Sequence, residues 1–247
     1  MLIVDRVEKS YKKDGIFSRE RQQVLRDISF TCGQGECLGV IGESGSGKST
    51  LGRLLLGIEK PDRGTILFEG RRVEERRARL GKISAVFQDY TSSINPFYTV
   101  EEALLEPLQL LSLPQREVQN RIDRLLHQVG LAPSYRKKYP HELSGGEAQR
   151  VCIARAVATE PKCIILDEAV SSLDGSVQLQ VLDLLHSLRT IYGMSYLFIT
   201  HDIQAAAYIC DRVMIIHSGQ IEEIISVEQL NDVQSLYARK LLQRVIM

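Results

Sequence analysis

Residues 42–50 read GESGSGKST, and they follow an unbroken apolar run, Cys37-Leu-Gly-Val-Ile41. Gly42, Gly47, Lys48 and Ser49 fit the pattern G-x-x-x-x-G-K-[ST], and the run before them reads as a strand buried on both faces. Glycines let such a turn wrap closely, so that its backbone N–H groups point inward at phosphate oxygens, with the positive end of the following helix added to them. Lys48 then reaches the β- and γ-phosphates and Ser49 ligates Mg²⁺. A flexible Gly/Ser linker is the competing reading, but a linker has no need of Lys-Ser at a helix start directly after a buried strand. The phosphate-binding candidates are Gly42, Glu43, Ser44, Gly45, Ser46, Gly47, Lys48, Ser49 and Thr50.

Composition sets the frame around that loop. The 247 residues suit one large α/β domain with room for an inserted subdomain. Thirty-one Lys and Arg balance 31 Asp and Glu, so no global basic field recruits nucleic acid. The five cysteines, Cys32, Cys37, Cys152, Cys163 and Cys210, lack paired metal-ligand spacing and read as small buried hydrophobes in a reducing compartment. No apolar run approaches the roughly 18 residues that span a bilayer, and MLIVDRVEKS lacks a signal-peptide core. A cytosolic chain is expected, with any membrane role supplied by a partner.

Strand-like segments at Leu2–Val7, Ile28–Cys32, Cys37–Ile41, Thr65–Phe68, Ala85–Phe87, Cys163–Leu166, Tyr196–Thr200 and Val213–Ile216 alternate with helical stretches, an α/β pattern. Between Glu101 and Glu142 the pattern changes. Leu104, Leu105, Leu108, Leu125 and Leu126 recur at helical spacing among breakers at Pro107, Pro114, Pro133 and Pro140, which predicts a helical subdomain set into the α/β core. RRVEERRAR at 71–79 reads as a solvated face.

CIILDE at 163–168 is the second candidate element. A buried strand ends in Asp167, suited to hold Mg²⁺, and Glu168, suited to polarise an attacking water. Such a pair can equally cap the next helix, and it gains meaning downstream of a phosphate loop. His201, in LFITHD, follows another apolar strand and is read as a γ-phosphate contact rather than a satisfied core histidine.

The ordered set GESGSGKST, FQD, LSGGEAQR, CIILDE, SSLD and THD resembles the ATP-binding subunit of ABC transporters over almost the whole chain. The resemblance implies a P-loop NTPase core of RecA-like α/β type with an antiparallel β subdomain and an inserted α-helical subdomain. One ABC ATP-binding domain would span residues 1–247, with residues 1–88 and 150–247 forming the nucleotide-binding core and 89–149 the helical signature subdomain. It also explains LSGGE at 143–147, which holds no side chain able to cut a bond. Ser144, Gly145 and Gly146 open a helix whose amides, hydroxyl and dipole suit a γ-phosphate held by an opposite subunit. By the same resemblance Tyr11 stacks on adenine, Gln88 approaches Mg²⁺ and the attacking water, and Asp174 spans the dimer interface. Glu168, His201 and Gln88 are the catalytic candidates, and Ser49, Gln88 and Asp167 the metal ligands. Glu147 stands where many relatives have Gln, and EAVSSLD replaces EPTSALD, but neither change removes a reacting group.

FQDYTSSINPFYTV at 87–100 and Ala169-Val170 after Glu168 look like the peptide/nickel importer branch, on its nickel side. Peptide-importing relatives continue past an HPYT-x-x-LL-like element into a C-terminal extension, whereas this sequence stops at SLYARKLLQRVIM. Together these imply ATP and Mg²⁺ as ligands and import of nickel or a metal chelate, with peptide import as the alternative. The expected partners are two integral-membrane permeases, a second related ATPase or a second copy of this chain, and an extracytoplasmic solute-binding protein, with no nucleic acid. The location implied is peripheral, on the cytoplasmic face of the membrane. A soluble ABC ATPase of DNA or ribosome usually has two cassettes or long coiled coils, and the interval from Gln88 to Leu143, about 55 residues, holds no sustained heptads. A small-molecule P-loop kinase has no need of LSGGE.

Overall fold

The computed structural model describes residues 1–12, 21–89, 93–171 and 173–246. Two compact units divide it, Met1–Leu80 with Ser195–Met247, and Gly81–Met194. Tyr90, Thr91 and Ser92 of the FQDYTSSINPFYTV stretch, Ser172 of SSLD and the terminal Met247 lie outside the described residues.

In the first unit, β3 (Cys37–Ile41) is buried at every position. It lies parallel to β8 (Ser195–Thr200) on one side and to β9 (Arg212–His217) on the other. β9 turns back antiparallel into β10 (Gln220–Ser226), giving the order β10-β9-β3-β8. Strands covered on both faces need continuous apolar runs rather than alternation, which is the pattern of CLGVI and SYLFIT. Helix α1 (Lys48–Leu55) follows β3, and α7 (Ile203–Ile209) packs on β3 and β8.

A second, antiparallel sheet in this unit has the order β2-β1-β4-β5, from β1 (Leu2–Lys12), β2 (Arg21–Cys32), β4 (Arg63–Phe68) and β5 (Arg71–Arg72). β1 and β2 both run further than the expected Leu2–Val7 and Ile28–Cys32. The cause is a pair of left-handed residues, Arg6 (φ 46°) and Asp27 (φ 48°), beside register shifts in the β1–β2 pairing. A bulge moves the inward face by one residue, so a count of alternating side chains ends there while the ladder continues. In 71–79, Arg71, Arg72, Arg76 and Arg77 are exposed as the solvated-face reading predicts. Val73 and Ala78 are nonetheless buried, and Arg79 turns inward to donate to the carbonyls of Val73 (2.8 Å) and Glu74 (3.1 Å). The short helix α2 (Arg76–Arg79) belongs to this turn.

The hairpin between β9 and β10 has a two-residue turn, Ser218–Gly219, at φ 48° and 78°. Positive φ at both central residues is what a type I′ turn requires. A Cβ on Gly219 would lie 2.1 Å from the Val24 carbonyl oxygen, so the position admits glycine alone without movement.

In the second unit, β6 (Ile83–Phe87) pairs in parallel with β7 (Cys163–Asp167). The helices are α3 (Val100–Leu108), α4 (Gln115–Gln128), α5 (Gly145–Val157) and α6 (Gly175–Tyr192). No strand lies between Glu101 and Glu142, in keeping with the leucine spacing. Leu104, Leu108, Leu125 and Leu126 are buried; Leu105 is half-buried. Pro114 sits at the α4 N-cap, and Pro133 and Pro140 open short 3₁₀ turns, where a missing N–H costs nothing. Arg136 ties this segment together through Asp123 (2.7 Å), Glu101 (3.2 Å) and the Gln119 carbonyl (2.7 Å). None of the five cysteines forms a disulfide, and all are buried.

Candidate functional site

The loop 42–47 leaves the end of β3 and enters α1 with Gly47 at its N-cap. Ile41, the last residue of β3, is paired with Thr200 of β8, so Gly42 and His201 emerge side by side at the carboxyl ends of parallel strands. Loops at this end of parallel strands carry the ligand in open α/β sheets. Lys48 is buried, and its ammonium donates to the carbonyls of Gly42 (2.7 Å) and Glu43 (3.0 Å), which holds it on the inside of the loop. Ser44, Gly45 and Ser49 are exposed. The hydroxyl of Ser46 is buried with no hydrogen-bond partner. A buried ammonium, an unpartnered hydroxyl and the start of α1 form a donor-rich hollow suited to a polyanion.

The loop is supported from behind by residues that carry no motif of their own. Gly219, at the hairpin tip, donates its N–H to the Ser46 carbonyl (3.1 Å), and its own carbonyl accepts from Arg26 (2.8 Å). His201 is exposed between two fixed neighbours. Thr200 Oγ1 accepts the Asp202 N–H (3.0 Å), and Asp202 caps α7 by accepting from the Ala205 N–H (3.0 Å). Tyr11, near the end of β1, is half-buried and its hydroxyl donates to Glu59 (2.6 Å). Burial pushes the Glu59 carboxyl upward, but hydrogen bonds from Tyr11, Lys9 and Arg53 outweigh it and hold the group below its ordinary value.

In the second unit the arrangement is parallel. Phe87 pairs with Asp167, so Gln88 and Glu168 are the next residues on neighbouring strands. Glu168 has φ 53°, a left-handed backbone that costs an ordinary residue about 1–2 kcal/mol. Its carbonyl is held by the N–H (3.2 Å) and the hydroxyl (2.9 Å) of Ser171. The constraint fixes the direction in which the carboxylate leaves the strand end.

Ser144 is the N-cap of α5, in a capping box with Glu147. The Ser144 hydroxyl accepts the Glu147 N–H (3.3 Å), and the Glu147 carboxylate accepts the Ser144 N–H (2.8 Å). The Tyr135 hydroxyl also donates to Glu147. That bond first, and the Ser144 amide second, hold the Glu147 carboxyl below its ordinary value. Gly145 and Gly146 form the first turn, where amides have no partner within the helix. Gln149, on the same helix, is 1% exposed and donates its side-chain N–H to the Ala169 carbonyl (2.5 Å). This bond ties the signature helix to the loop after Glu168. Asp174 is exposed at the N-cap of α6.

Beside Gln88 lies a cavity of about 480 Å³ lined by Phe87, Asp89, Ser93, Pro107, Cys152 and Arg155. Burial pushes the Cys152 thiol up to about 12, so it stays protonated and acts as a small apolar wall.

The structure thus brings together Gly42–Thr50 with His201 in one unit and Gln88 with Asp167 and Glu168 in the other. Tyr11 and Asp174 stand at the ends of their own elements. Gln149 and Gly219 escape a reading of the sequence, although a polar residue on the buried face of α5 is a signal that could have found the first.

A strand, a phosphate loop and a helix, together with a carboxylate pair after a second buried strand and an inserted run of helices, define a P-loop nucleotide-binding protein. The family model described as ABC transporter matches residues 25–171, and the chain belongs to this family, as an ATP-binding subunit that hydrolyses ATP. It is 48% identical over 245 residues to the metal-staphylopine import system ATP-binding protein CntF of Staphylococcus aureus, covering 99% of this chain and 98% of that one. It is 44% identical to the nickel import ATP-binding protein NikE of Rhodospirillum rubrum, covering 90% and 83%. The oligopeptide transport ATP-binding protein OppF of Haemophilus influenzae is 41% identical, covering 90% and 70%. Among solved structures, the ATP-binding cassette MJ0796, a dimer bound to ADP and Pi, superposes with a TM-score of 0.82 at 28% identity, covering 92% of this chain and 99% of that one. Among the described residues, no helix is long and apolar enough to cross a membrane.

Proposed function

We propose that this chain energises the import of nickel or of a metal chelate, as the ATPase subunit of a membrane complex. The observation that carries the reading is its 48% identity, nearly end to end, with a metal-staphylopine import ATPase, alongside 44% with a nickel import ATPase. The subunit would sit peripherally on the cytoplasmic face, bound to two permeases, with a related ATPase or a second copy of itself completing the pair. A solute-binding protein outside the membrane would select the cargo.

The roles proposed for individual residues follow the family resemblance, and the geometry within each unit supports some of them. The amides of Gly42–Thr50, with Lys48, bind the ATP phosphates; the unpartnered Ser46 hydroxyl and the buried ammonium support this. Tyr11 supports the adenine, with its hydroxyl anchored on Glu59. Ser49, Gln88 and Asp167 each carry a side-chain oxygen, the donor type that suits Mg²⁺, and are the proposed ligands. When bound, Mg²⁺ would neutralise phosphate charge. Glu168 orients and deprotonates the attacking water, helped by Gln88, and His201 contacts the γ-phosphate. Ser144, Gly145 and Gly146 offer a hydroxyl and a helix N-terminus to the phosphate held by the opposite subunit, and Asp174 lies at that interface. We assign residues 1–88 and 150–247 to the nucleotide-binding core and 89–149 to the helical subdomain, with the cavity beside Gln88 as the place where a permease segment seats.

Gene deletion followed by separate measurement of metal accumulation and peptide-dependent growth tests the cargo. Nickel, cobalt or zinc uptake should fall, and should return with the wild-type chain but not with Glu168→Gln. Normal metal uptake alongside lost growth on peptides would replace the cargo reading by peptide import. Assembly is tested by mixing a Lys48→Ala chain with a Ser144→Arg chain. One intact composite site should restore hydrolysis in a mixed dimer, and a silent mixed dimer would mean that each site is built within one chain.

A further inference from the structure

Helix α8 (Leu236–Ile246) lies far along the sequence from the phosphate loop yet touches it. It is seated by buried Ala238 and Leu242, and its approach is fastened to β10. The Glu223 carboxylate accepts the N–H groups of Gln234 (3.0 Å) and Ser235 (3.1 Å), and the Ser235 hydroxyl donates to Glu222 (2.9 Å). Tyr237, in the first turn, packs its ring on that of His217 at the end of β9, with centroids 4.0 Å apart and planes inclined by 32°. Its hydroxyl oxygen accepts a hydrogen bond from the Glu43 N–H at 3.3 Å.

That N–H belongs to the same peptide group as the Gly42 carbonyl. The peptide is trans, and a planar trans peptide points its C=O and N–H in opposite directions. The Gly42 carbonyl accepts from the Lys48 ammonium at 2.7 Å. One rigid unit is therefore held at both ends, by Tyr237 outside the loop and by Lys48 inside it. Rotating this peptide would swing the carbonyl away from the ammonium, and fixing its N–H fixes the cradle in which the lysine waits. The loop is braced again one turn further on, where the hairpin tip donates to the Ser46 carbonyl.

We infer that Tyr237 is a positioning residue for nucleotide binding: through the Gly42–Glu43 peptide it holds Lys48 in its phosphate-binding orientation, and it makes the C-terminal helix part of the nucleotide site. The inference rests on the assignment of residues 42–50 as the phosphate loop.

The test uses the full-length chain, with Tyr237→Phe, which keeps the ring and removes the acceptor, and Tyr237→Ala, which removes both. Leu236→Ala, a change at a side chain that is 74% exposed, is the neutral control, and Lys48→Ala reports on the site itself. Affinity is read with a fluorescent N-methylanthraniloyl ADP in the presence of Mg²⁺, and turnover as phosphate release against ATP concentration. Losing one hydrogen bond should raise Kd and KM by roughly two- to tenfold in Tyr237→Phe, with kcat and Tm close to wild type. Tyr237→Ala should raise both further. A merely structural tyrosine would instead lower Tm in Tyr237→Ala and leave KM in place in both variants. Unchanged Kd and KM in the two tyrosine variants, with binding lost in Lys48→Ala, overturn the inference and leave the phosphate loop standing. Unchanged binding in Lys48→Ala removes the loop assignment and the inference with it.

Discussion

The two units present their functional groups from the same local device and use it for different physics. In each, a residue at the end of one parallel strand is paired with a residue at the end of its neighbour, Ile41 with Thr200 in one unit and Phe87 with Asp167 in the other. The first unit then opens into a loop of backbone donors around a buried lysine. The second opens directly onto side chains, Gln88 and Glu168, with the carboxylate leaving from a left-handed residue. Backbone donors and a fixed cation hold charge that is already present. A carboxylate held at a strand end acts on a proton in motion. Binding and turnover should therefore separate cleanly between the units.

The sharpest way to break this comparison is Glu168→Gln. Removal of the base should lower phosphate release by roughly 10²–10⁴-fold while ATP affinity stays within a few-fold of wild type. Equal loss of binding and turnover would show that the division of labour is false. Lys48→Ala should do the reverse. Loss of charge-assisted hydrogen bonds worth about 1.5–3 kcal/mol weakens nucleotide binding by roughly 10- to 100-fold, read by equilibrium titration.

Smaller effects sharpen the comparison at its supports. Gly219→Ala forces a Cβ to within 2.1 Å of the Val24 oxygen at φ 78°, and strain of about 1–3 kcal/mol should appear as a lower Tm together with weaker nucleotide binding. Ser144→Ala removes the cap of the signature helix in the other unit and should cost about 0.5–2 kcal/mol, with nucleotide affinity of the single chain unchanged. Glu147→Gln is the mildest. The Glu147 carboxyl titrates below its ordinary value in the folded chain, so its contribution is present above the unfolded value of about 4.3 and is lost as pH falls through the lower folded value. The variant should be slightly less stable than wild type near neutral pH and lose less stability on acidification, so that the two converge at low pH, as a series of thermal melts from pH 7 to 3 would reveal.

Much of the site is legible in the order of residues alone. GESGSGKST and CIILDE each place reactive residues directly after an apolar run, and a run too short for a helix and too apolar for a surface has little choice but a buried strand. LSGGE is legible only through the family resemblance, and the structure adds the capping box between Ser144 and Glu147 that starts its helix. The extra lengths of β1 and β2 are not legible, because the bulges at Arg6 and Asp27 break the alternation that a sequence count depends on. β5 carries only two exposed arginines and β10 only half-buried isoleucines, so neither has an apolar signal to read.

The amino-acid sequence by itself determined the local patterns: a glycine-rich loop with Lys48 and Ser49 directly after one buried strand, and the pair Asp167 and Glu168 at the end of another. Those features lie within a few residues of one another and follow from backbone geometry and side-chain type. Only the tertiary structure decided what holds them in place. Gln149 bonds to Ala169, Gly219 to Ser46, and Tyr237 to Glu43 across 194 positions of sequence. Such pairings join groups that any polar residue could supply, and they come into being only when strand order and packing have brought distant segments within hydrogen-bond reach, which no local pattern encodes.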